Sequence, residues 1–253
     1  MKKRNLLLVF VLILSSFACR LTPATEAVED LGCAEAVAGI RDLREQYPFP
    51  DYFMDEKAVE RGGEFDPMLY FTVLDHLSME DGYVMDFVYT YDFMGGFPTL
   101  LARPETEAPY LSWEDVPADP LPALDHVRTD GTAAGYMQYV LLAIMGEQFY
   151  LYWHAGYSDA QVICNQAALE TLLTGTTEFS EELPADVQRK ARGIENLEPQ
   201  VEIGDTTVQV QVVTFTKWGG FYRLTFTIDR QFPHTIQSTQ DEQLVPYDCG
   251  IMF

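Results

Sequence analysis

Residues 135–165 read GYMQYVLLAIMGEQFYLYWHAGYSDAQVICN, and the change of period inside this stretch sets the expected fold. From Tyr136 to Met145 only Gln138 is polar, so as a helix the segment is apolar nearly all round and has to be enclosed by the rest of the chain. Gly146 then stops it. From Gln148 the period becomes two, with Phe149, Leu151, Trp153 and Ala155 alternating with Gln148, Tyr150, Tyr152 and His154, the pattern of a half-buried strand. Gly156, Tyr157, Ser158 and Asp159 carry turn chemistry, and Gln161 to Asn165 reads as the returning strand. On this reading Trp153 is a core side chain sharing a face with Phe149 and Leu151.

The same grammar extends to both sides. Ala34 to Gln46 reads as a helix ended by Tyr47-Pro48-Phe49-Pro50. Asp66-Pro67 is a helix start, with Asp as N-cap and Pro at the first helical position, and the helix it opens is expected to stop near Ser78. Tyr83, Met85, Phe87, Tyr89 and Tyr91 alternate with Val84, Asp86, Val88, Thr90 and Asp92, a strand turned at Gly95-Gly96 into a return from Phe97 to Arg103. Gln166 to Thr174 reads as a short helix closed by Gly175. Pro184 opens another that ends near Gly193, and Val208, Val210 and Val212 begin a strand turned by Trp218-Gly219-Gly220 into Phe221 to Asp229. A helix followed by a hairpin thus recurs over 67–103, 135–165 and 184–229. The expected class is α+β: an antiparallel sheet built from helix-plus-hairpin units, with helices covering one face and no parallel crossover unit. Pro104 to Asp130, rich in proline and acidic residues, is an ordered surface loop and the place where an internal boundary would fall.

The N-terminus follows a different pattern. Lys2, Lys3 and Arg4 precede the apolar run Leu6 to Leu14, followed by Ser15, Ser16, Phe17, Ala18 and Cys19, which is the layout of a secretory signal. Ala18-Cys19 resembles the lipobox of bacterial lipoproteins, in which the signal is cut before the cysteine and the thiol carries diacylglycerol. Ser16 and Phe17 depart from the family pattern, which prefers Leu three residues before the cysteine and a small residue two before it. Cleavage by an ordinary signal peptidase therefore stands as an alternative, and so does an uncleaved anchor, although the run is short of the ~20 residues of a membrane span. The resemblance implies a signal over 1–18, a lipid on Cys19, a tether over 19–30, and a single domain over 31–253 that is exported and held at the cell envelope through a membrane anchor. It implies nothing about what that domain does.

The formal charge is −23, and loss of Lys2, Lys3 and Arg4 with the signal would take it to −26. So acidic a protein is not a nucleic-acid binder. An anionic bilayer surface would repel it too, leaving the lipid to make the attachment. Cys33, Cys164 and Cys249 permit one disulfide in an oxidising compartment. Cys164 with Cys249 is the expected pair, because both lie in strand-like sequence while Cys33 adjoins the tether.

Among the polar residues, Glu147, His154 and Asp159 offer a carboxylate, an imidazole and a second carboxylate near one hairpin, a set suited to acid–base work. Their convergence requires a bulge, since Glu147 and His154 are an odd number of residues apart and fall on opposite faces of an ideal strand. Asp75, His76, Glu80 and Asp81 bunch where a helix is expected to end, with His76 and Glu80 spaced to pair; His126 and His234 lie in loop-like sequence. No zinc-protease, calcium-loop, nucleophile-elbow or phosphate-loop motif is present, so no metal or cofactor is expected. Two functions remain. One is a non-catalytic domain that binds a ligand or an envelope protein through an aromatic face formed by Tyr150, Tyr152 and His154. The other is an envelope hydrolase using Glu147, His154 and Asp159.

Overall fold

The helix expected between Tyr136 and Met145 is present, and strands close around it. The computed structural model describes residues 31–55, 62–92, 95–153, 159–175 and 182–250. In chain order these form α1 (Cys33–Glu45), 3-10 turns at Asp51–Asp55 and Pro67–Thr72, β1 (Leu77–Met79), β2 (Tyr83–Asp92), β3 (Gly95–Pro104), a 3-10 turn at Ala123–His126, β4 (Val127–Thr129) and α2 (Ala133–Met145). There follow β5 (Tyr152–Trp153), β6 (Gln161–Ile163), α3 (Gln166–Leu173), α4 (Ala185–Ala191), β7 (Gln200–Ile203), β8 (Thr207–Thr216), β9 (Gly220–Asp229) and β10 (Ile236–Pro246). The class is α+β with antiparallel pairing throughout. The strands are divided among a β1–β4 ribbon, a β2–β3–β5 sheet and a larger sheet ordered β10–β9–β8, in which β6 and β7 share the far edge of β8.

Helix α2 begins at Thr132, whose hydroxyl accepts the Gly135 N–H at 3.1 Å. It is buried from Gly135 to Leu142 without a break. The enclosing residues come from α1 (Ala36, Val37, Ile40), from β2 and β3 (Met85, Phe87, Tyr89, Leu100) and from the large sheet (Val208, Val210, Val212, Phe226, Ile228). Each fully buried Val, Ile, Phe or Met among them contributes roughly 1.5–3 kcal/mol. Gln138, the one polar residue of the helix, is satisfied from outside it: its Oε1 accepts the His76 N–H at 2.9 Å and its Nε2 donates to Asp75 Oδ1 at 3.1 Å.

Helices lie on both faces of the large sheet, not on one. Along β8 the side chains of Val208, Val210 and Val212 enter the main core, while Val213 and Phe215 join a second core with Leu169, Leu172 and Leu173 of α3 and Val187 and Ala191 of α4. Gln209 and Gln211, where α3 and α4 do not reach, are exposed or half-exposed. The β8–β9 hairpin runs as the sequence implies, from Thr207 opposite Asp229 to Thr216 opposite Gly220. Gly220 has φ +91°, and a Cβ there would lie 2.2 Å from the Val245 carbonyl oxygen, so the turn admits only glycine. Strand β10, in which Gln237 to Gln243 is exposed throughout, carries Asp241 and Glu242 on the sheet edge, charges that discourage pairing with another chain.

Three further expectations are corrected. First, 148–165 is not a hairpin. Tyr150 sits at φ +56°, which breaks the two-residue alternation and turns both Phe149 and Tyr150 inward, 2% and 8% exposed. Among the described residues of the expected first strand only Tyr152–Trp153 is strand, paired with Gly96 and Gly95 of β3, whereas β6 pairs with β8. The segment therefore passes from one sheet to the other. The side chain of Trp153 and all of His154 lie outside the described residues.

Second, Asp66 caps its helix as expected, accepting the Met68 N–H at 3.0 Å, but the helix is a short 3-10 turn ending at Thr72, and Leu77 belongs to β1. Third, the disulfide joins Cys33 to Cys164, not Cys164 to Cys249. Cys33, expected only to adjoin the tether, is the buried first residue of α1. Cys249 bonds through its N–H to Lys217 O, whereas Ile163 of β6 lies opposite Val213. Cys164 thus sits about five residues, or roughly 17 Å, further along β8, well outside disulfide reach.

Candidate functional site

Neither carboxylate expected to act with His154 meets the other. Glu147 is exposed as a residue, but its Oε1 is tucked against β3 and accepts the Leu100 N–H at 2.8 Å, a donor on the β3 edge beyond the end of β5. Partial desolvation pushes this carboxyl above its usual range, and the Leu100 N–H pulls the other way. Asp159 is half-buried, and its Oδ1 has no hydrogen-bond partner. Burial raises its carboxyl as well, against opposing pulls from its own main-chain N–H and from Lys217. No hydrogen bond joins Glu147 to Asp159.

The expected aromatic face is also corrected at Tyr150. Its left-handed backbone carries the ring into the core, where its hydroxyl accepts the Phe65 N–H at 2.7 Å and its ring meets Phe53, Phe49 and Phe149 edge-on. Tyr152 is half-buried between Phe49 and Tyr91, with ring centroids 5.7 and 5.5 Å away.

Three histidines gather about the β1–β4 ribbon. His76 does not pair with Glu80, because the residues between them are not helical. Instead His76 Nδ1 lies 2.6 Å from Asp130 Oδ2, and Asp130 Oδ1 accepts from the Thr132 N–H at 2.9 Å and the Thr132 hydroxyl at 2.6 Å. Glu80 is taken by His126, whose Nδ1 is 2.8 Å from Oε2, and by Arg128, 3.3 Å from Oε1. His234 is 5% exposed, with Nδ1 3.1 Å from Asp229 O and Nε2 3.4 Å from Thr129 Oγ1. The bond to Asp130 raises the His76 imidazole despite some desolvation, while burial lowers that of His234. An imidazole held by a carboxylate through one nitrogen has the form of a general base. Its other nitrogen, however, faces only the Asp75 carboxylate at 3.9 Å, and no hydroxyl or thiol among the described residues bonds to it. No set of three or more His, Cys, Asp or Glu among the described residues gathers to hold a metal.

A third arrangement lies on the outer face of the β2–β3 hairpin. Met85, Phe87 and Tyr89 point into the main core, so Asp86, Val88 and Thr90, opposite Leu101, Thr99 and Phe97, form the other face. The proline-rich stretch folds over part of it. Asp86, 3% exposed, accepts from Arg103 Nε at 2.7 Å and from the Tyr110 N–H at 3.1 Å. Val88, Leu101 and Tyr110 pack with Val116 into a small separate core, and the Ala102 N–H reaches Leu121 O at 2.8 Å.

This cover stops short of Phe97. Phe97, Leu111 and Trp113 are 36%, 39% and 47% exposed, and the only other exposed large hydrophobic among the described residues is Ile203, on β7. The indole is fixed in place, since Nε1 of Trp113 donates to Thr90 Oγ1 at 2.9 Å and Thr90 lies directly across the hairpin from Phe97. Side chains so opposed stand roughly 5 Å apart at Cβ. The turn carrying Leu111 and Trp113 is itself held, because Asp115 Oδ2 accepts the Leu111 and Ser112 N–H groups at 3.0 Å each. Sequence periodicity passes over this site, whose one local signal is a tryptophan standing in an acidic, proline-rich loop.

Comparison of the chain with family models, with curated proteins and with solved structures found no match, so the site is read from its own chemistry.

Proposed function

We propose that this is an exported, lipid-anchored envelope protein whose α+β domain binds a partner without chemistry through the exposed Trp113 and the neighbouring Phe97. The signal-like N-terminus and Ala18-Cys19 support export and attachment. The observation that carries the binding reading is the Trp113–Thr90 hydrogen bond, which holds a large, solvent-exposed aromatic in one orientation beside Phe97. An aromatic held this way meets a partner with little further loss of side-chain freedom, and tryptophan is among the residues that dominate binding energy. The hydrolase reading has less support, because Glu147 Oε1 is committed to a main-chain donor and shares no bond with Asp159.

The test is an array of peptides and cell-wall oligosaccharides probed with the wild type and with Trp113→Ala. The reading expects a class of probe that is retained by the wild type and lost by the variant, with an unchanged melting curve. Turnover of an envelope substrate that depends on Glu147 or Asp159 would sink it.

A further inference from the structure

We infer that the Trp113–Phe97 face receives arginine or lysine side chains from a basic peptide segment of a partner protein, an inference that rests on the binding reading above and names its partner. Between Pro104 and Val127 the chain carries Glu105, Glu107, Glu114, Asp115, Asp119 and Asp125 and no lysine or arginine. Glu105, Glu107, Glu114, Asp115 and Asp119 are all exposed. Arg103, the cation that precedes them, is committed to buried Asp86 and to the carbonyls of Pro104 and Glu107. The exposed indole therefore stands in an acidic loop whose carboxylates form no salt bridge with a lysine or arginine among the described residues.

Lysine and arginine match both halves of this surface. Their methylene stems lie along apolar groups such as Phe97 while the charged head stays at the polar rim, and a cation over an indole face gains from the ring quadrupole as well as from nearby carboxylates. Arginine adds a planar fork that stacks on the ring and pairs with carboxylates at the same time. A neutral sugar would use the ring but not the charge. An anionic lipid surface would be repelled by it.

The test uses the full chain in detergent, with immobilised peptides containing arginine or lysine, the same peptides with citrulline or acetyl-lysine in their place, and cell-wall oligosaccharides. Arginine and lysine peptides should bind, with affinity falling about tenfold on neutralisation of the peptide cation and falling again as ionic strength rises from about 0.05 M to about 0.5 M. Trp113→Ala should weaken binding about threefold to thirtyfold, the range a cation–π contact spans. Trp113→Phe, which keeps a ring but loses the bond to Thr90, should fall between. The triple variant Glu107→Gln, Glu114→Gln, Asp119→Asn should show a weaker salt dependence with its fold intact. Equal binding of arginine and citrulline peptides, or Trp113-dependent binding of oligosaccharides alone, overturns the cationic partner and leaves the binding face standing. Absence of any Trp113-dependent binding overturns both.

Discussion

The Tyr89 hydroxyl donates to the main-chain oxygen of Tyr150 at 2.8 Å, tying β2 to a residue whose φ is +56°. A left-handed backbone costs a residue with a side chain roughly 1–2 kcal/mol, so something must hold it. Tyr150 is held at both ends, by Tyr89 at its carbonyl and by the Phe65 N–H at its hydroxyl, while Phe53 stacks on Tyr89 at 4.2 Å. Tyr89→Phe and Tyr150→Phe should each cost about 1–3 kcal/mol, because each strands a buried main-chain group. In urea unfolding the two should also couple by at least about 0.5 kcal/mol. Additive losses would mean that the two bonds do not act on the same backbone conformation.

The His76–Asp130 pair gives a pH signature with a definite sign. The imidazole is raised on folding, so its stabilisation is complete below its unfolded value of about 6.5 and fades as pH rises through the folded one. For Asp130, desolvation acts upward, but the bonds from His76 and Thr132 outweigh it and lower the carboxyl. Its stabilisation is present above the unfolded value near 3.9 and fades as pH falls through the folded one. The pair is thus most effective between about pH 4 and pH 6.5. His76→Asn should lower the melting temperature most in that window and least near pH 9, with a cost of no more than about 1 kcal/mol for so exposed a pair. A difference curve flat with pH would contradict the assignment.

Reduction separates the cysteines cleanly. Cys33→Ser or Cys164→Ser should destabilise the oxidised protein by about 2–5 kcal/mol, since the bond closes a loop with a sequence separation of 131. Cys249→Ser should change stability by less than about 0.5 kcal/mol. Non-reducing peptide mapping checks the pairing directly: a peptide containing Cys164 linked to one containing Cys249 would refute it.

Glu147 offers a test of structure against chemistry. Glu147→Gln keeps an acceptor for the Leu100 N–H and should leave stability within about 0.5 kcal/mol, while Glu147→Ala should cost about 0.5–1.5 kcal/mol. Both should bind partner as the wild type does. Loss of a catalytic turnover in Glu147→Gln without a shift in melting would restore the hydrolase reading.

The sequence carried α2 and both long hairpins because their patterns are long and their burial one-sided or complete. In β8, Val208, Val210 and Val212 announce a strand that residues further along confirm. The misreading at 148–155 has a local cause: the alternation Phe149 to Ala155 is real in sequence, but the backbone inverts at Tyr150, and no side-chain pattern records a dihedral angle. Strand β10 was missed for the opposite reason, as an exposed edge strand of Gln, Ser, Thr, Asp and Glu has no apolar face to alternate. The candidate site was illegible because it is made by register: Thr90 meets Trp113 only once the 104–122 stretch has folded back over β2 and β3.

The Cys33–Cys164 bond also sets how the molecule answers a mechanical load. A pull on the chain ahead of Cys33 passes covalently to the junction of β6 and α3, by-passing α1, α2 and the β2–β3 hairpin. At about 3.3–3.6 Å per residue, the enclosed segment withholds roughly 430–470 Å of contour from extension. Stretched between its ends, the oxidised protein bears the load on the large sheet and α3–α4, while the segment that holds Trp113 is spared the pull and loses only the sheet residues that help to enclose α2.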